Sequence, residues 1–295
     1  GALMMWTRFL QIGTGMLVAG LALLAIGGAN HGFRSVAIVA GRPTVVRLTT
    51  KTTDPAPFTA INVTTTELDV VVQSGGRYQV TQAVQTGTGV TSRVDNGVLT
   101  VKQTRSADLG MLLGESPRPQ ITITVPRGKK VQTATIHTTD GELTYTVPQT
   151  GQLHLTSNSG DMIVRGTAAE QTEIRTVSGN IQLTKTQLRQ PQVTAQDGTI
   201  TVTQGTIQDG RFQLTSDDFI LRNSQLRGTT RVHNRDGENR VNGATAAQGY
   251  RLQTRYGENT LFTRTTEKQV VTHNWSAMNR IELITQSGDN RVTAR

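Results

Sequence analysis

The sequence predicts an all-β protein: a single-stranded parallel β-helix, or β-solenoid, of 19- to 20-residue rungs, preceded by one N-terminal transmembrane helix. Three observations support this prediction. Turns recur at a nearly constant interval, apolar residues stand at fixed distances from each turn, and one long uncharged stretch precedes the repeat. The composition agrees, because 49 of the 295 residues are threonine, which favours half-buried strands.

The repeat is defined by eight turn residues separated by 19, 19, 19, 19, 20, 20 and 31 residues. They are Gly141, Gly160, Gly179, Gly198, Asp217, Gly237, Gly257 and Gly288. An apolar residue stands five positions before and four positions after every one of them. Polarity mostly alternates in between, so each unit predicts a strand, a tight turn, a strand and a looser return. Such a unit buries its apolar side only by stacking on its neighbours.

Two further columns of residues follow the turns. The position after each turn residue is polar and mostly acidic, which is ordinary turn chemistry; a column of calcium ligands is the alternative. The next position is apolar in five units and asparagine in three, at Asn239, Asn259 and Asn290. Because buried amides need partners, we expect these three to form a hydrogen-bonded ladder, with a ligand site as the alternative.

The N-terminal segment Ile12–Ala29 contains 18 residues without a charge, which just spans a hydrocarbon core of about 30 Å. A cleaved signal peptide ending near Ala29 and a buried core helix are the alternatives. Basic residues are more frequent after this segment than before it, which by the positive-inside rule favours a cytoplasmic repeat. A short N-terminal tail before a large polar domain instead favours an exported protein anchored by this segment.

The predicted organisation therefore has four parts. Residues 1–30 are a membrane anchor or signal, 31–57 a linker, 58–126 irregular capping strands and 127–295 the regular solenoid. Within the capping strands, we expect the pairs Val70/Val72 and Leu99/Val101 to occupy the positions of Leu143 and Tyr145 in the repeat.

The in-phase turns, the segment PQITITVPRGKKVQTATIHTTDGELTY and the opening GLALLAIGGANHGFRSV resemble a bacterial family of membrane-anchored putative adhesins with β-strand repeats, a domain of unknown function. The resemblance covers residues 58–295 and the leading helix. It implies a right-handed β-helix in the envelope of Gram-positive bacteria, with some members linked to envelope-stress responses. The family has no established catalytic residues, so the resemblance assigns none here.

Basic residues form the one pattern that neither turn nor core explains. Arg211, Arg231 and Arg251 stand six positions before consecutive turn residues, and Arg235 and Arg255 stand two before. We expect both columns to face outward with stems about one rung apart, as a strip that binds an anionic cell-wall polymer or phospholipid headgroups. A solvated face balanced by Asp236, Glu238 and Glu258 is the alternative. Nucleic acid is disfavoured because few aromatic residues interleave with the arginines.

Motifs for chemistry are scarce. The chain has no cysteine, nucleophile elbow or phosphate loop, and its five histidines lack metal-ligand spacing, so we expect no cofactor or metal. Asp217 and Asp218 with Arg222 are the nearest catalytic candidates, yet a glycosidase needs two opposed carboxylates.

The sequence therefore predicts a non-enzymatic, single-pass envelope protein. Its β-domain is expected outside the cell membrane, where it acts in adhesin-like binding or envelope-stress sensing. A carbohydrate-active β-helix enzyme and a cytoplasm-facing scaffold are the alternatives.

Overall fold

A computed structural model describes residues 36–39, 42–45, 48–107, 111–113 and 118–294. The chain divides into two compact units, one formed by Gly1–Leu48 with Ala107–Pro117 and a larger one formed by Thr49–Ser106 with Arg118–Arg295. The predicted membrane segment Ile12–Ala29 lies outside the described residues. Within the described ranges, no helix is both long and apolar enough to cross a membrane.

Strands are numbered in chain order. The smaller unit contains an antiparallel sheet in the order β2-β1-β9, made of β1 (Val36–Val39), β2 (Arg42–Val45) and β9 (Met111–Leu113). The remaining strands up to residue 126 are β3 (Leu48–Thr53), β4 (Ala60–Thr64), β5 (Asp69–Gly75), β6 (Gln79–Gln85), β7 (Gly89–Asp95), β8 (Val98–Arg105) and β10 (Gln120–Pro126).

The regular part of the larger unit follows. Its strands are β11 (Val131–Thr138), β12 (Leu143–Tyr145), β13 (Gln149–Ser157), β14 (Met162–Arg165), β15 (Ala168–Ser178), β16 (Ile181–Thr184), β17 (Gln187–Arg189), β18 (Pro191–Asp197), β19 (Ile200–Thr203), β20 (Thr206–Gln208), β21 (Arg211–Ser216), β22 (Phe219–Arg222) and β23 (Gln225–Arg227). The C-terminal strands are β24 (Thr229–Asp236), β25 (Asn239–Ala244), β26 (Gly249–Tyr256), β27 (Asn259–Leu261), β28 (Arg264–Thr266), β29 (Val270–His273), β30 (Arg280–Ser287) and β31 (Asn290–Ala294).

Two long sheets, joined by the predicted turns, form the larger unit. The strands after the turns form the first sheet, in the order β28-β27-β31-β25-β22-β19-β16-β14-β12-β5-β10-β6-β3. The strands before the turns form the second sheet, in the order β29-β26-β30-β24-β21-β18-β15-β13-β11-β4-β8-β7. Pairing in the middle is parallel, and Ile181 lies opposite Met162 on one side and Ile200 on the other. The all-β, solenoid-like prediction is thus confirmed, while the right-handed sense stays a prediction.

The return between rungs is more ordered than predicted. Short strands β17, β20 and β23 pair with one another and form a third side. Each begins two residues after a corner residue with positive φ: Lys185 (53°), Gln204 (55°) and Asn223 (47°). The central residue of each short strand is apolar and buried, namely Leu188, Ile207 and Leu226. The expected loose return is therefore a third packed face.

The turns explain why glycine recurs. At Gly198 φ is 154°, and a Cβ atom there would collide with the carbonyl oxygen of Gly179 on the preceding rung. The turns thus stack backbone on backbone, with no room for a side chain between them. Asp217 fits the same column because its φ is 71°, in the left-handed region that Asp tolerates.

Aspartates of the acidic column accept hydrogen bonds from backbone N–H groups. The carboxylate of Asp161 accepts the N–H of Asn180 at 2.7 Å, and that of Asp218 accepts the N–H of Glu238 at 2.9 Å. Each of these two aspartates satisfies a turn N–H of a neighbouring rung, as the turn interpretation predicts, and the bonds join rungs. No group of three His, Asp or Glu residues in the described part of the chain could hold a metal ion.

Stacking order departs from chain order at both ends. Near the N-terminus, β4 and β5 lie inside β8 and β10, although β8 and β10 come later in the chain. Near the C-terminus, β30 and β31 lie between the rung of β24 and β25 and the rung of β26 and β27. Antiparallel strands cover both ends: β6 and β7 at one, β28 and β29 at the other. The last rung in the sequence is therefore an internal rung of the structure.

The capping strands follow the prediction in part. Val70 and Val72 lie directly opposite Leu143 and Tyr145 in the first sheet, as predicted. The matching prediction for Leu99 and Val101 is wrong, because these residues pair with β4 in the second sheet. Alternation alone does not distinguish the two sheets, since strands of both present one apolar face to the same core.

The asparagine column forms the predicted ladder. Its order is Asn239, Asn290, Asn259, and all three side chains are fully buried. Asn239 Nδ2 donates to Asn290 Oδ1 and Asn290 Nδ2 donates to Asn259 Oδ1, both at 2.8 Å. Asn259 Nδ2 donates to the carbonyl of Lys268, which ends the ladder against the C-terminal cap. These amides are structural, so the ligand-site alternative is not needed.

Candidate anion-binding face

The predicted arginines all lie on the outward side of the second sheet, near its C-terminal end. Arg211 is in β21, Arg231 and Arg235 are in β24, and Arg251 and Arg255 are in β26. Strand alternation places them outward, because the residue after each of the first-column arginines is buried: Phe212, Val232 and Leu252. The structure therefore brings the five predicted residues to one face.

Their spacing differs from the prediction. Arg211 lies opposite Arg231, one strand apart as expected, but Arg231 and Arg251 both lie opposite Glu282 of β30. The prediction that the stem of Arg251 begins one rung from Arg231 is wrong, because β30 separates them. Glu282 Oε2 lies 3.5 Å from Arg231 Nε, and its Oε1 lies 3.5 Å from Arg251 Nε. The Glu282 side chain is only 14% exposed, so it relieves much of the repulsion between the two cations.

The column that contains Arg235 and Arg255 also has an arginine on each outer strand, but the residue between them is neutral. The register of β30 with β24 and β26 places Gln286 between Arg235 and Arg255. Arg235 Nε donates to Asp236 Oδ2 at 2.8 Å. The guanidinium carbon of Arg255 lies 5.1 Å from the centre of the exposed Tyr256 ring, which is a cation–π contact.

Three strands thus present a grid of outward side chains. Strand β24 presents Arg231, His233 and Arg235; β30 presents Glu282, Ile284 and Gln286; β26 presents Arg251, Gln253 and Arg255. A surface groove of about 600 Å³ crosses the last two columns of this grid. It extends from Gln213 on β21 to Gln269 before β29, and its lining contains no carboxylate. We call it the basic groove.

The acids expected to balance the arginines do so unevenly. Asp236 pairs with Arg235 as predicted. Glu238 instead binds Arg240 on the first sheet, where Arg240 Nε donates to Glu238 Oε2 at 2.7 Å and this hydrogen bond raises the Arg240 pKa. Glu258 forms no ion pair with the described residues. The main neutralising acid is Glu282, which sequence spacing did not indicate.

The catalytic candidates are engaged in the scaffold. Asp217 occupies the turn, and the carbonyl of Asp217 accepts Asn234 Nδ2 at 2.9 Å. Asp218 accepts the Glu238 N–H and lies 3.4 Å from Arg240 Nη1. Neither residue lines the basic groove.

A second surface groove, of about 390 Å³, lies on the third side. Its lining includes Lys130, Glu170, Arg189 and Arg227. Lys130 Nζ lies 2.6 Å from Glu170 Oε1, and this hydrogen bond lowers the Glu170 pKa. Glu170 is the one carboxylate of this lining, so a paired-carboxylate mechanism has no site in either groove.

Buried hydroxyls form a column that sequence reasoning missed. Thr138 Oγ1 accepts the N–H of Gly141 at 3.1 Å, and Ser157 Oγ accepts that of Gly160 at 2.9 Å. At the C-terminal end, Thr254 Oγ1 donates to the carbonyl of Gly288. The signal was present in the sequence as a Ser, Thr or Asn three residues before most turn residues.

Fold and surface define an all-β, solenoid-like repeat protein with a basic outward face. Within that class, residues 58–293 match the Toastrack DUF4097 family, and the chain belongs to this family. The predicted family is thereby confirmed, while the membrane anchor that the resemblance implied stays a prediction. No curated protein sequence matches the chain.

Solved structures with a similar fold are distant. A putative adhesin from Bacteroides fragilis is 11% identical, with a TM-score of 0.45. The match covers 84% of this chain and 97% of the Bacteroides fragilis protein. A putative adhesin from Parabacteroides merdae is 13% identical, with a TM-score of 0.37, and the match covers 83% of this chain and 96% of that protein. A putative cell adhesion protein from Clostridium sporogenes is 9% identical, with a TM-score of 0.28, and the match covers 85% of this chain and 100% of that protein. At such scores these names describe those proteins alone.

Proposed function

We propose that this protein is a non-enzymatic, adhesin-like binding module of a bacterial envelope, and that its basic groove binds an anionic polymer of the cell surface. The observation that supports the proposal is the grid on β24, β30 and β26. Four arginines frame it, one largely buried acid is shared by two of them, and the groove beside them contains no carboxylate. Unbalanced guanidinium groups on a rigid sheet favour anionic partners.

Within this proposal the two columns have different roles. Arg231 and Arg251 already share Glu282, so they contribute less to an incoming anion. Arg235 and Arg255 line the groove, and Arg255 forms no ion pair with any described acid. Arg211 extends the face toward β21. Phospholipid headgroups are the second anionic surface that this face would fit.

Binding to a polyanion tests the proposal. We would measure the affinity of the full chain for a uronate polymer and for vesicles with anionic headgroups at low and high salt. We expect binding to weaken steeply with salt and to fall at least about tenfold in Arg235→Ala/Arg255→Ala, because two charge-assisted contacts are lost. The matched control, Arg189→Ala/Arg227→Ala, removes two arginines from the third side. Equal losses in both variants would contradict the assignment of this face.

We also propose that the β-domain lies outside the cell membrane, anchored by the segment Ile12–Ala29. Cleavage of a C-terminal epitope by protease in intact cells is the expected result. Protection until lysis would instead support the cytoplasmic orientation that the basic residues after the segment favour. A role in envelope-stress sensing would require the outside location, so this measurement comes first.

A further inference from the structure

The arginines of the basic groove do not repeat with every strand. Strand β30 inserts between β24 and β26, so Arg235 and Arg255 begin two strands apart, about 10 Å at roughly 4.8 Å per strand. Gln286 occupies the midpoint. A linear ligand lying along the solenoid axis would therefore meet a cation, an amide and a second cation in turn.

The neighbouring column has a different composition at the same spacing. His233, Ile284 and Gln253 follow one another across the same three strands. Ile284 is partly exposed at the centre of the groove, and it gives an apolar contact that the C–H face of a sugar ring matches. Gln213 and Gln269 at the two ends add amides, which both donate to and accept from hydroxyl groups.

The length of the groove also suits a chain rather than a single small ion. From β21 through β24 and β30 to β26 the groove crosses three strand spacings, about 14 Å, before it reaches Gln269. An extended glycan advances by about one strand spacing per sugar. The groove therefore has room for about four sugars in line.

We propose that the basic groove binds an extended anionic glycan in which every second sugar carries the charged group. The charged sugars would lie against Arg235 and Arg255, and the uncharged sugar between them against Gln286 and Ile284. Arg binds a carboxylate through two parallel N–H···O bonds, which fixes the charged sugars in register with the strands. This inference rests on the proposed function, because it names the polymer class for the same site.

A glycan with a charge on every sugar fits this spacing less well. Its middle charge would face the neutral amide of Gln286, with no cation opposite it on β30. Non-specific attraction predicts the opposite preference, because the fully charged glycan has twice the charge at equal length. The two ideas are therefore separable by one comparison.

The probes are two size-matched octasaccharides: one of alternating hexuronate and N-acetylhexosamine, the other of hexuronate alone. We expect the full chain to bind the alternating octasaccharide at least about tenfold more tightly by calorimetry, and Arg255→Ala to remove this preference. We expect Gln286→Arg, which places a cation on every strand, to shift the preference toward the all-uronate probe. The control Gln182→Arg adds the same charge on the outward face of the first sheet and leaves the preference unchanged.

The outcomes separate the two proposals. If both octasaccharides bind according to charge, and weaken with salt and in Arg235→Ala/Arg255→Ala, the alternating-glycan inference is overturned while the anion-binding function stands. If Gln286→Arg and Gln182→Arg change the preference equally, the inference is also overturned. If neither probe nor polyphosphate binds the full chain, both proposals fail.

Discussion

The two ends of the solenoid have the same stacking arrangement, which the chain follows in opposite order, and they have different cores. At each end an internal rung, an antiparallel cap and an outer rung occur together: β4 and β5 lie within β8 and β10, and β30 and β31 lie within β26 and β27. The N-terminal rungs pack apolar side chains, with Val70 between Ile121 and Leu143. The C-terminal rungs pack amides, with Asn290 between Asn239 and Asn259.

This difference shows that the same stacking arrangement is compatible with an apolar core and with an amide core. An apolar column stabilises any register that keeps its side chains inside, because the hydrophobic effect is non-directional. An amide column is satisfied only when donors and acceptors meet across each step, as they do at 2.8 Å on both sides of Asn290. We infer that the amides fix the position of the rung that the chain must place between two others.

The largest effect should come from removing the inserted rung, which consists of β30 and β31. Deletion of residues 280–295 leaves the edges of β24, β25, β26 and β27 unpaired, and it removes Asn290, which joins the amides of Asn239 and Asn259. We expect a loss of more than about 4 kcal/mol and self-association through the open edges. Chemical denaturation and size-exclusion chromatography would measure the two effects. A monomer of unchanged stability would contradict the internal placement.

Introducing an amide into the apolar N-terminal core should have the next largest effect. Val70→Asn places an amide between Ile121 and Leu143, where no partner column exists, and we expect it to cost about 3 kcal/mol or more. Val70→Ala is the control, because it removes volume without adding a polar group. Denaturant unfolding should show the Asn variant as the less stable of the two. The reverse order would mean that the N-terminal end also tolerates amides.

Breaking the ladder at its centre should cost somewhat less. In Asn290→Ala, the amide of Asn259 loses its donor and that of Asn239 its main acceptor, for an expected loss of about 2 to 3 kcal/mol. Hydrogen exchange should rise first in β31 and its two neighbouring strands, while the rungs around Ile181 stay protected. Uniform loss of protection along the solenoid would contradict a local role.

The smallest effect concerns the acid that the inserted rung provides to the surface. Glu282→Gln removes the carboxylate shared by Arg231 and Arg251, and we expect a loss of stability of about 1 kcal/mol or less. Affinity for any polyanion should rise and its salt dependence should steepen, since two arginines are freed. Unchanged anion binding would show that these arginines contribute nothing to the face.

Much of the fold could be predicted from the sequence because the patterns that determine it are local. The interval of 19 or 20 residues fixed the turns, the alternation fixed the inward columns, and the three asparagines indicated a ladder. The third face was missed because its strands contain three residues and follow corner residues such as Lys185, whose positive φ has no sequence signature.

The order of the last rungs could not be predicted, for a physical reason. Asn239, Asn259 and Asn290 are equivalent in the pattern, so stacking them in chain order or with Asn290 in the middle satisfies the same columns. The last interval of 31 residues indicated an excursion without showing where the chain returns. The contact between Arg231 and Glu282 joins residues 51 positions apart and depends entirely on that return.

The inserted rung also has a consequence for synthesis. Strands β30 and β31 leave the ribosome after both rungs that flank them, so a partly translated chain has a strand-wide slot beside β24 and β25. Until β30 and β31 enter this position, the nascent chain can accept a matching strand from another copy. The fold therefore closes only after β26 to β31 have been made, and the alternating surface of the basic groove forms only in a chain that has reached this step.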